Sequence, residues 1–190
     1  MGWGALQTGK WGLLTQRSGA GAVQAGFQSK IVKAVRPWLR GGYFYSTGDN
    51  NPNDDIHGTF FAILPTPRVY ARFPFFNEMN NRDLFAELML RPTKALTLRS
   101  DVHALWLANR NDLWYSGGGA FQPWTFGYSG RPSNGATSLA TLYDIGADYQ
   151  WTRALSTGLY FGYARGGAVV AHIFSGNDAK FGFLEVNYRF

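Results

Sequence analysis

The chain has 190 residues, with 18 Lys and Arg against 12 Asp and Glu, which gives a net charge of +6. The absence of Cys excludes disulfides, Cys-ligated zinc and thiol catalysis, while 17% aromatic and 16% charged residues exclude ordinary disorder. No apolar run reaches the roughly 18 residues of a membrane helix, and the Arg residues are too scattered to favour a nucleic-acid surface. An antiparallel β protein is the class that remains.

Alternation of apolar and polar side chains predicts about eight strands. In chain order they cover Lys10–Gln16, Ala20–Ser29, Arg36–Ser46, Arg82–Arg91, Leu96–Ala108, Leu142–Trp151, Leu155–Arg165 and Phe181–Phe190. The first three and Leu155–Arg165 are the weaker ones.

The last predicted strand shows most clearly that the two faces differ. Its apolar face carries Leu184, Val186, Tyr188 and Phe190, and its mostly polar face carries Phe183, Glu185, Asn187 and Arg189. We expect the apolar face to contact lipid and the ionic face to contact a watery interior. A soluble β-sandwich or a lipocalin-like barrel with the aromatic face inside is the alternative, because alternation alone does not separate the two.

The connections alternate in length. The short ones are Lys30–Val35, Pro92–Ala95 and Thr152–Ala154, and the long ones are Thr47–Asn81, Asn109–Ser138 and Gly166–Ala179. This rhythm is typical of bacterial outer-membrane barrels, which have tight periplasmic turns and long extracellular loops. Aromatic residues near the strand ends favour the same interpretation, because such rings prefer the membrane interface. They are Trp106, Tyr149, Trp151, Tyr188 and Phe190. The sequence therefore predicts an all-β, antiparallel, up-and-down transmembrane β-barrel.

Catalytic and metal motifs are weak, so we expect no enzyme and no cofactor. Gly4–Lys10 begins like a phosphate-binding loop, but Trp11 stands where Ser or Thr is needed. Asp49, Asp54 and Asp55 form a weak calcium candidate that lacks EF-hand spacing, and a solvated loop is the simpler interpretation. His57, His103 and His172 are too far apart in sequence to suggest a metal site.

One trio of residues invites a hydrolase interpretation. Asp101 and His103 share a strand face, but Ser100 points to the other, so the three cannot form a triad by themselves. We expect His103 and Asp101 to be joined by a hydrogen bond inside the barrel.

The predicted inward faces carry charges of both signs, which would attract or repel ions in a wet lumen. These candidate pore-lining residues are Arg40, Arg91, Arg99, Arg189, Glu87, Asp101, His103, Asp144, Asp148 and Glu185. A self-neutralising ladder that stiffens the wall is the alternative. Candidate loop contacts are Arg68, Tyr70, Arg72 and Arg131, because a folded-in loop could present guanidinium groups that bind carboxylates bidentately.

Several segments resemble the outer-membrane alginate export family. They are Ser46–Asp55, His57–Asn77, Asp112–Phe121 and Phe126–Gly135, together with Glu185–Phe190, which resembles the end signal of outer-membrane barrels. The resemblance covers about Arg36 to Phe190. It implies a barrel of about eighteen strands with an Arg-lined pore, through which an anionic polysaccharide such as alginate leaves the cell.

With about eight strands, the chain resembles the C-terminal part of such a barrel, and residues 1–190 are expected to form one barrel domain or such a fragment. No secretory leader pattern follows Met1, as in a cytoplasmic, mature or truncated chain. We expect an outer-membrane location, contact with lipid, and recognition of Tyr188 and Phe190 by the barrel-assembly machinery. A small non-transporting barrel with adhesive or structural loops and a soluble β-barrel binding protein are the alternative functions.

Overall fold

The computed structural model describes residues 1–62, 70–74, 76–117 and 128–190. The strands are β1 (Gly2–Trp11), β2 (Leu14–Gln28), β3 (Trp38–Ser46), β4 (Ile56–His57), β5 (Asn81–Leu90), β6 (Leu96–Leu107), β7 (Leu113–Gly117), β8 (Tyr128–Pro132), β9 (Ser138–Gln150), β10 (Leu155–Gly166) and β11 (Asp178–Tyr188), and one helical turn, α1, covers Ala168–Ala171. None of the helical structure in these residues is long and apolar enough to cross a membrane.

Eight strands form one antiparallel meander in the order β1-β2-β3-β5-β6-β9-β10-β11. The short β4 adds to β2 in parallel, and β7 pairs with β8 in a separate hairpin. In the described part of the chain, no ladder joins β1 to β11. The all-β antiparallel class is thus as predicted, but the sheet is not a closed barrel.

Seven of the eight predicted strands match strands of the meander, whereas β1, β4 and the hairpin of β7 and β8 are not among the predicted strands. The predicted strand Lys10–Gln16 is wrong, because the chain reverses there between β1 and β2. Gly12 takes a φ of +60°, which suits glycine, and Trp11 pairs directly with Leu14. This two-residue turn lies at the same end of the sheet as the connections 47–80, 108–137 and 167–177, which we call the long-loop end. The other end, with connections 29–37, 91–95 and 151–154, is the short-turn end.

One face of the sheet, which we call the outer face, exposes apolar side chains. Leu84 is 54% exposed, Ile145 59% and Leu184 68%. Other large apolar side chains exposed on this face include Val23, Leu39, Tyr43, Leu88, Val102, Trp106, Tyr143, Tyr149, Leu159, Phe161, Val186 and Tyr188. This face has no covering layer in the described residues, which is unusual for a protein in water.

The opposite inner face holds both charged residues and a hydrophobic core. Part of the 47–80 connection folds against it, and we call residues 59–62, 70–74 and 76–79 the inner segment. Tyr70 packs on Phe44 and Phe85 of the sheet, with ring centroids 5.3 and 6.1 Å apart. The expectation of a watery interior therefore needs correction near the long-loop end, where aromatic side chains from the inner segment fill the space inside the sheet.

Candidate functional site

Strand register places a row of charged residues across the inner face. Arg40 of β3 pairs with Glu87 of β5. Glu87 pairs in turn with Asp101 of β6, and Asp101 pairs with Asp144 of β9. Directly paired residues lie about 5 Å apart at Cβ on one face, so these side chains must interact. Glu87, Asp101 and Asp144 are all buried.

Glu87 lies between two arginines. Its Oε2 accepts hydrogen bonds from Arg40 Nη2 at 2.9 Å and from Arg99 Nε at 2.7 Å. The same Arg99 Nε lies 3.6 Å from Asp101 Oδ2. The Arg40 guanidinium also lies over the Phe85 ring, 5.2 Å from its centroid. Arg40 and Arg99 are therefore engaged by the wall itself, as in the self-neutralising ladder that the sequence left open.

His103 pairs with a carboxylate that the sequence analysis did not single out. Its Nδ1 lies 2.9 Å from Asp83 Oδ2, and both side chains are fully buried. The expected hydrogen bond of His103 to Asp101 is thus replaced by one to Asp83 on the neighbouring strand. Alternation along β5 already puts Asp83 on the face of Glu87, and this signal could have identified it. Ser100 lies on the exposed outer face, as expected.

A polar cavity of about 430 Å³ opens on the inner face toward the short-turn end. Its lining includes Arg72 and Lys94 together with Asp148 and Glu185. Arg72 Nη2 lies 3.9 Å from Asp148 Oδ2, and Asn187 Nδ2 donates to Glu185 Oε1 at 2.8 Å. The cavity thus presents charges of both signs to solvent.

Other residues singled out from the sequence lie apart from this cavity. Arg91 and Arg189 are exposed just beyond the ends of β5 and β11, so they do not join the charged row. Arg131 belongs to β8, and its guanidinium lies over the Phe174 ring at 5.1 Å. Tyr70 is buried and its hydroxyl accepts a hydrogen bond from Trp3 Nε1 at 2.6 Å. Arg68, and with it the expected pairing of two guanidinium groups, lies outside the described residues.

Asp112 joins the loops at the long-loop end. Its Oδ2 accepts hydrogen bonds from Asp49 N at 2.9 Å and Thr59 Oγ1 at 2.7 Å. Its Oδ1 accepts from Leu113 N at 2.7 Å and from the Tyr115 hydroxyl at 2.8 Å. Burial and the neighbouring Asp112 raise the pKa of Tyr115, which keeps this hydroxyl a donor. One carboxylate therefore holds the 47–80 and 108–137 connections together.

Asn80 makes a second link between these connections. Its Nδ2 donates to the carbonyl oxygens of Asn109 and Leu113, both at 3.0 Å, and its Oδ1 accepts from Asn109 N at 2.7 Å. Asn80 has a φ of +48°, a left-handed conformation that Asn tolerates better than most residues. A Cβ at Gly48 would overlap the Asn80 carboxamide, so this contact requires glycine.

The carboxylates of the weak calcium candidate form hydrogen bonds within turns of the loop. Asp49 Oδ1 accepts from Asn51 N at 3.0 Å, and Asp54 Oδ1 accepts from Ile56 N at 2.8 Å. Asp55 is exposed. Such turns are a common use of Asp in loops.

His57 fixes β4 against the first hairpin. Its ring stacks on Trp11 with centroids 4.8 Å apart, and its Nδ1 lies 2.6 Å from Gln16 Oε1. Burial lowers the pKa of His57, opposed by the negative charges of Asp49 and Asp112. The imidazole is therefore neutral at pH 7 and serves as a packing and hydrogen-bonding group.

Comparison with known families identifies the chain. The sequence model of the alginate export family matches residues 2–173. The chain belongs to the alginate export family. No curated protein and no solved structure matches the chain. The match confirms the resemblance. In the structure, Asp112 accepts hydrogen bonds from Asp49 and Thr59, so it links parts of three resembling segments that are distant in sequence.

We predict that Glu87→Gln destabilises this alginate export family member by about 3 kcal/mol, because two partly buried guanidinium groups lose their counter-charge next to a buried side chain. Urea unfolding of the detergent-folded protein, followed by Trp fluorescence, measures the change. Glu185→Gln, the same substitution on exposed β11, is the control and should change stability by no more than about 0.5 kcal/mol. Equal losses in the two variants would contradict the central role of Glu87.

We predict that Asp112→Asn loosens the long-loop end without affecting the sheet. The new amide group would face backbone N–H donors, so residues 47–59 and 108–116 should exchange amide hydrogens about tenfold faster, whereas β9 and β10 should not change. Hydrogen exchange with mass spectrometry measures this. Asp55→Asn on the exposed part of the same connection is the matched control. Unchanged exchange in Asp112→Asn would show that the loops are held by other contacts.

Proposed function

We propose that the chain forms part of the wall of an outer-membrane channel through which an anionic polysaccharide, such as alginate, leaves the cell. The observation that carries this proposal is the difference between the two faces of the sheet in a member of the alginate export family. No reaction is catalysed in such a passage.

The outer face supports a membrane location. Tyr143 and Tyr149 are exposed on β9 with Ile145 between them. Six residues of strand span about 20 Å, close to the roughly 25 Å apolar band of outer-membrane barrels. Trp106 near the long-loop end and Tyr188 near the short-turn end are also exposed, as expected of rings at an interface.

The cavity at the short-turn end supports contact with anions. Arg72 and Lys94 line it, whereas Arg40 and Arg99 are held by Glu87. We therefore assign the uronate contacts to Arg72 and Lys94. Asp148 beside Arg72 keeps each contact weak, which a passage needs because the polymer must also leave.

The channel must be completed beyond the strands described. Among the described residues, no strand pairs with the outer edges of β1 and β11, and backbone groups left unpaired there cannot face lipid without a large free-energy cost. We propose that in the membrane these edges pair with further strands, so that the chain contributes one part of a larger barrel. In this proposal, Tyr188 and Phe190 at the end of the chain are the groups that the barrel-assembly machinery reads.

A non-transporting role is the second candidate, and the inner segment favours it. Phe73 and Phe76 are buried against the inner face and occupy the space that a polymer would need. A barrel filled in this way would act through its loops, in adhesion or as a structural element.

We predict that the protein is extracted from membranes only with detergent and that the folded form migrates faster on gels before heating than after. The exposed apolar outer face is the reason, because it needs a lipid or detergent cover. Membrane fractionation and heat-modifiable gel migration provide the measurement. Full recovery in detergent-free buffer would contradict the membrane location and favour a soluble binding protein.

We predict that the complete barrel containing this chain, isolated from the membrane in detergent, conducts in planar bilayers and that added polyuronate blocks the current. Lys94→Glu should raise the half-blocking concentration about fivefold, since it reverses one exposed charge in the cavity. Lys33→Glu makes the same change in the 29–37 turn at the same end but outside the cavity, and should leave the block unchanged. An absence of conductance would favour the non-transporting role, and equal effects of the two variants would remove Lys94 from the contact site.

A further inference from the structure

Three potential metal ligands meet on the inner face. Asp101 and His103 come from β6 and Asp144 from β9, and one ligand atom from each lies within 4.8 Å of the others. Register explains this, because Asp101 pairs with Asp144 and His103 stands two residues further along the same face. Of the residues that the structure describes, only this group of three or more His, Asp or Glu converges so closely.

Several side-chain atoms of these three residues lack hydrogen-bond partners. Within the described part of the chain, this holds for His103 Nε2, Asp101 Oδ1 and both carboxylate oxygens of Asp144. The Tyr160 hydroxyl and the Arg72 backbone lie close to Asp144 but make no hydrogen bond of ordinary geometry with it. Each unsatisfied buried polar group costs about 1–3 kcal/mol. Several such groups at one point indicate a missing partner that accepts lone pairs from all of them.

His103 is oriented as metal-bound histidines are. Its Nδ1 lies 2.9 Å from Asp83 Oδ2, and when the imidazole holds its proton on Nδ1, the lone pair of Nε2 is available to a metal ion. The Phe85 ring stacks on the imidazole with centroids 5.6 Å apart, and Phe76 lies at 6.1 Å. These rings hold the imidazole in place and exclude water from it.

The local charge balance favours a cation. Asp83, Asp101 and Asp144 are 0%, 7% and 4% exposed. Arg99 reaches Asp101 at 3.6 Å, but it is shared with Glu87, which it contacts at 2.7 Å. Three buried carboxylates thus share one imidazole and part of one guanidinium group, and a divalent ion would add positive charge at this point.

We infer that Asp101, His103 and Asp144 bind a zinc-like divalent cation, with Asp83 acting on it through His103. One imidazole nitrogen and two carboxylate oxygens suit Zn²⁺, whereas Ca²⁺ and Mg²⁺ prefer oxygen ligands alone. Tetrahedral zinc needs ligand atoms about 3.3 Å apart, so the ligand atoms of these side chains must move toward one another by about 1 Å. The ion would fasten β6 to β9 beneath the inner segment. This inference does not rest on the proposed transport function.

Calorimetric titration of ZnCl₂ into the chelator-treated, detergent-folded full chain tests the inference. The wild type should bind one Zn²⁺ with a Kd below about 10 μM, and Ca²⁺ or Mg²⁺ should bind at least about 100-fold more weakly. Asp144→Asn should weaken Zn²⁺ binding at least 100-fold, and Asp83→Asn should weaken it about 10- to 100-fold. Asp55→Asn and His57→Gln are the matched controls, and both should bind as the wild type does.

Two outcomes would overturn the inference. One is that the wild type binds no Zn²⁺ at concentrations about 100-fold above this Kd, and the other is that Asp144→Asn leaves the binding unchanged. Should Asp144→Asn fail to fold, X-ray absorption of the zinc-loaded wild type decides instead. Donors at about 2.0–2.1 Å that include one imidazole and carboxylate oxygens are expected. A shell with two or more imidazoles would place the ion elsewhere and contradict the site.

Discussion

The antiparallel register of β5, β6 and β9 is the constraint on which the charged inner face depends. Because side chains alternate along a strand, slipping one strand by a single residue would exchange its two faces. In β5 such a slip would bring Leu88 inside in place of Glu87, and in β6 it would bring in Val102 in place of Asp101. The apolar outer face and the buried charges are therefore two consequences of the same backbone pairing.

Most of the charge on this inner face compensates other charge. Glu87 holds two arginines, and His103 is held by Asp83. Buried ions need such partners, since desolvation makes an unpaired charge costly. A charged residue on an inward face is thus weak evidence for contact with a transported ion, and solvent access is the better criterion. By that criterion the cavity lined by Arg72 and Lys94 is the place where a carboxylate could be met.

The long-loop end is organised differently, by hydrogen bonds between loops and by aromatic packing. Asp112 and Asn80 join connections that are far apart in sequence, while Phe73 and Phe76 of the inner segment pack against the sheet. Together these contacts give the interior a core of the kind expected in a small barrel rather than in a wide pore. The position of the inner segment in the completed barrel decides between the channel and the non-transporting role.

The sequence by itself determined the all-β class, the positions of most strands, the outward apolar face and the family, because two-residue periodicity and loop motifs are local signals. It also implied that Glu87 and Asp101 share an interior with Arg40. It did not determine the partners within that interior. The pairing of His103 with Asp83 and its approach to Asp144 depend on which strands are neighbours and in what register, and the filling of the interior depends on how a long connection folds back. These are non-local contacts, so only the tertiary structure decided them.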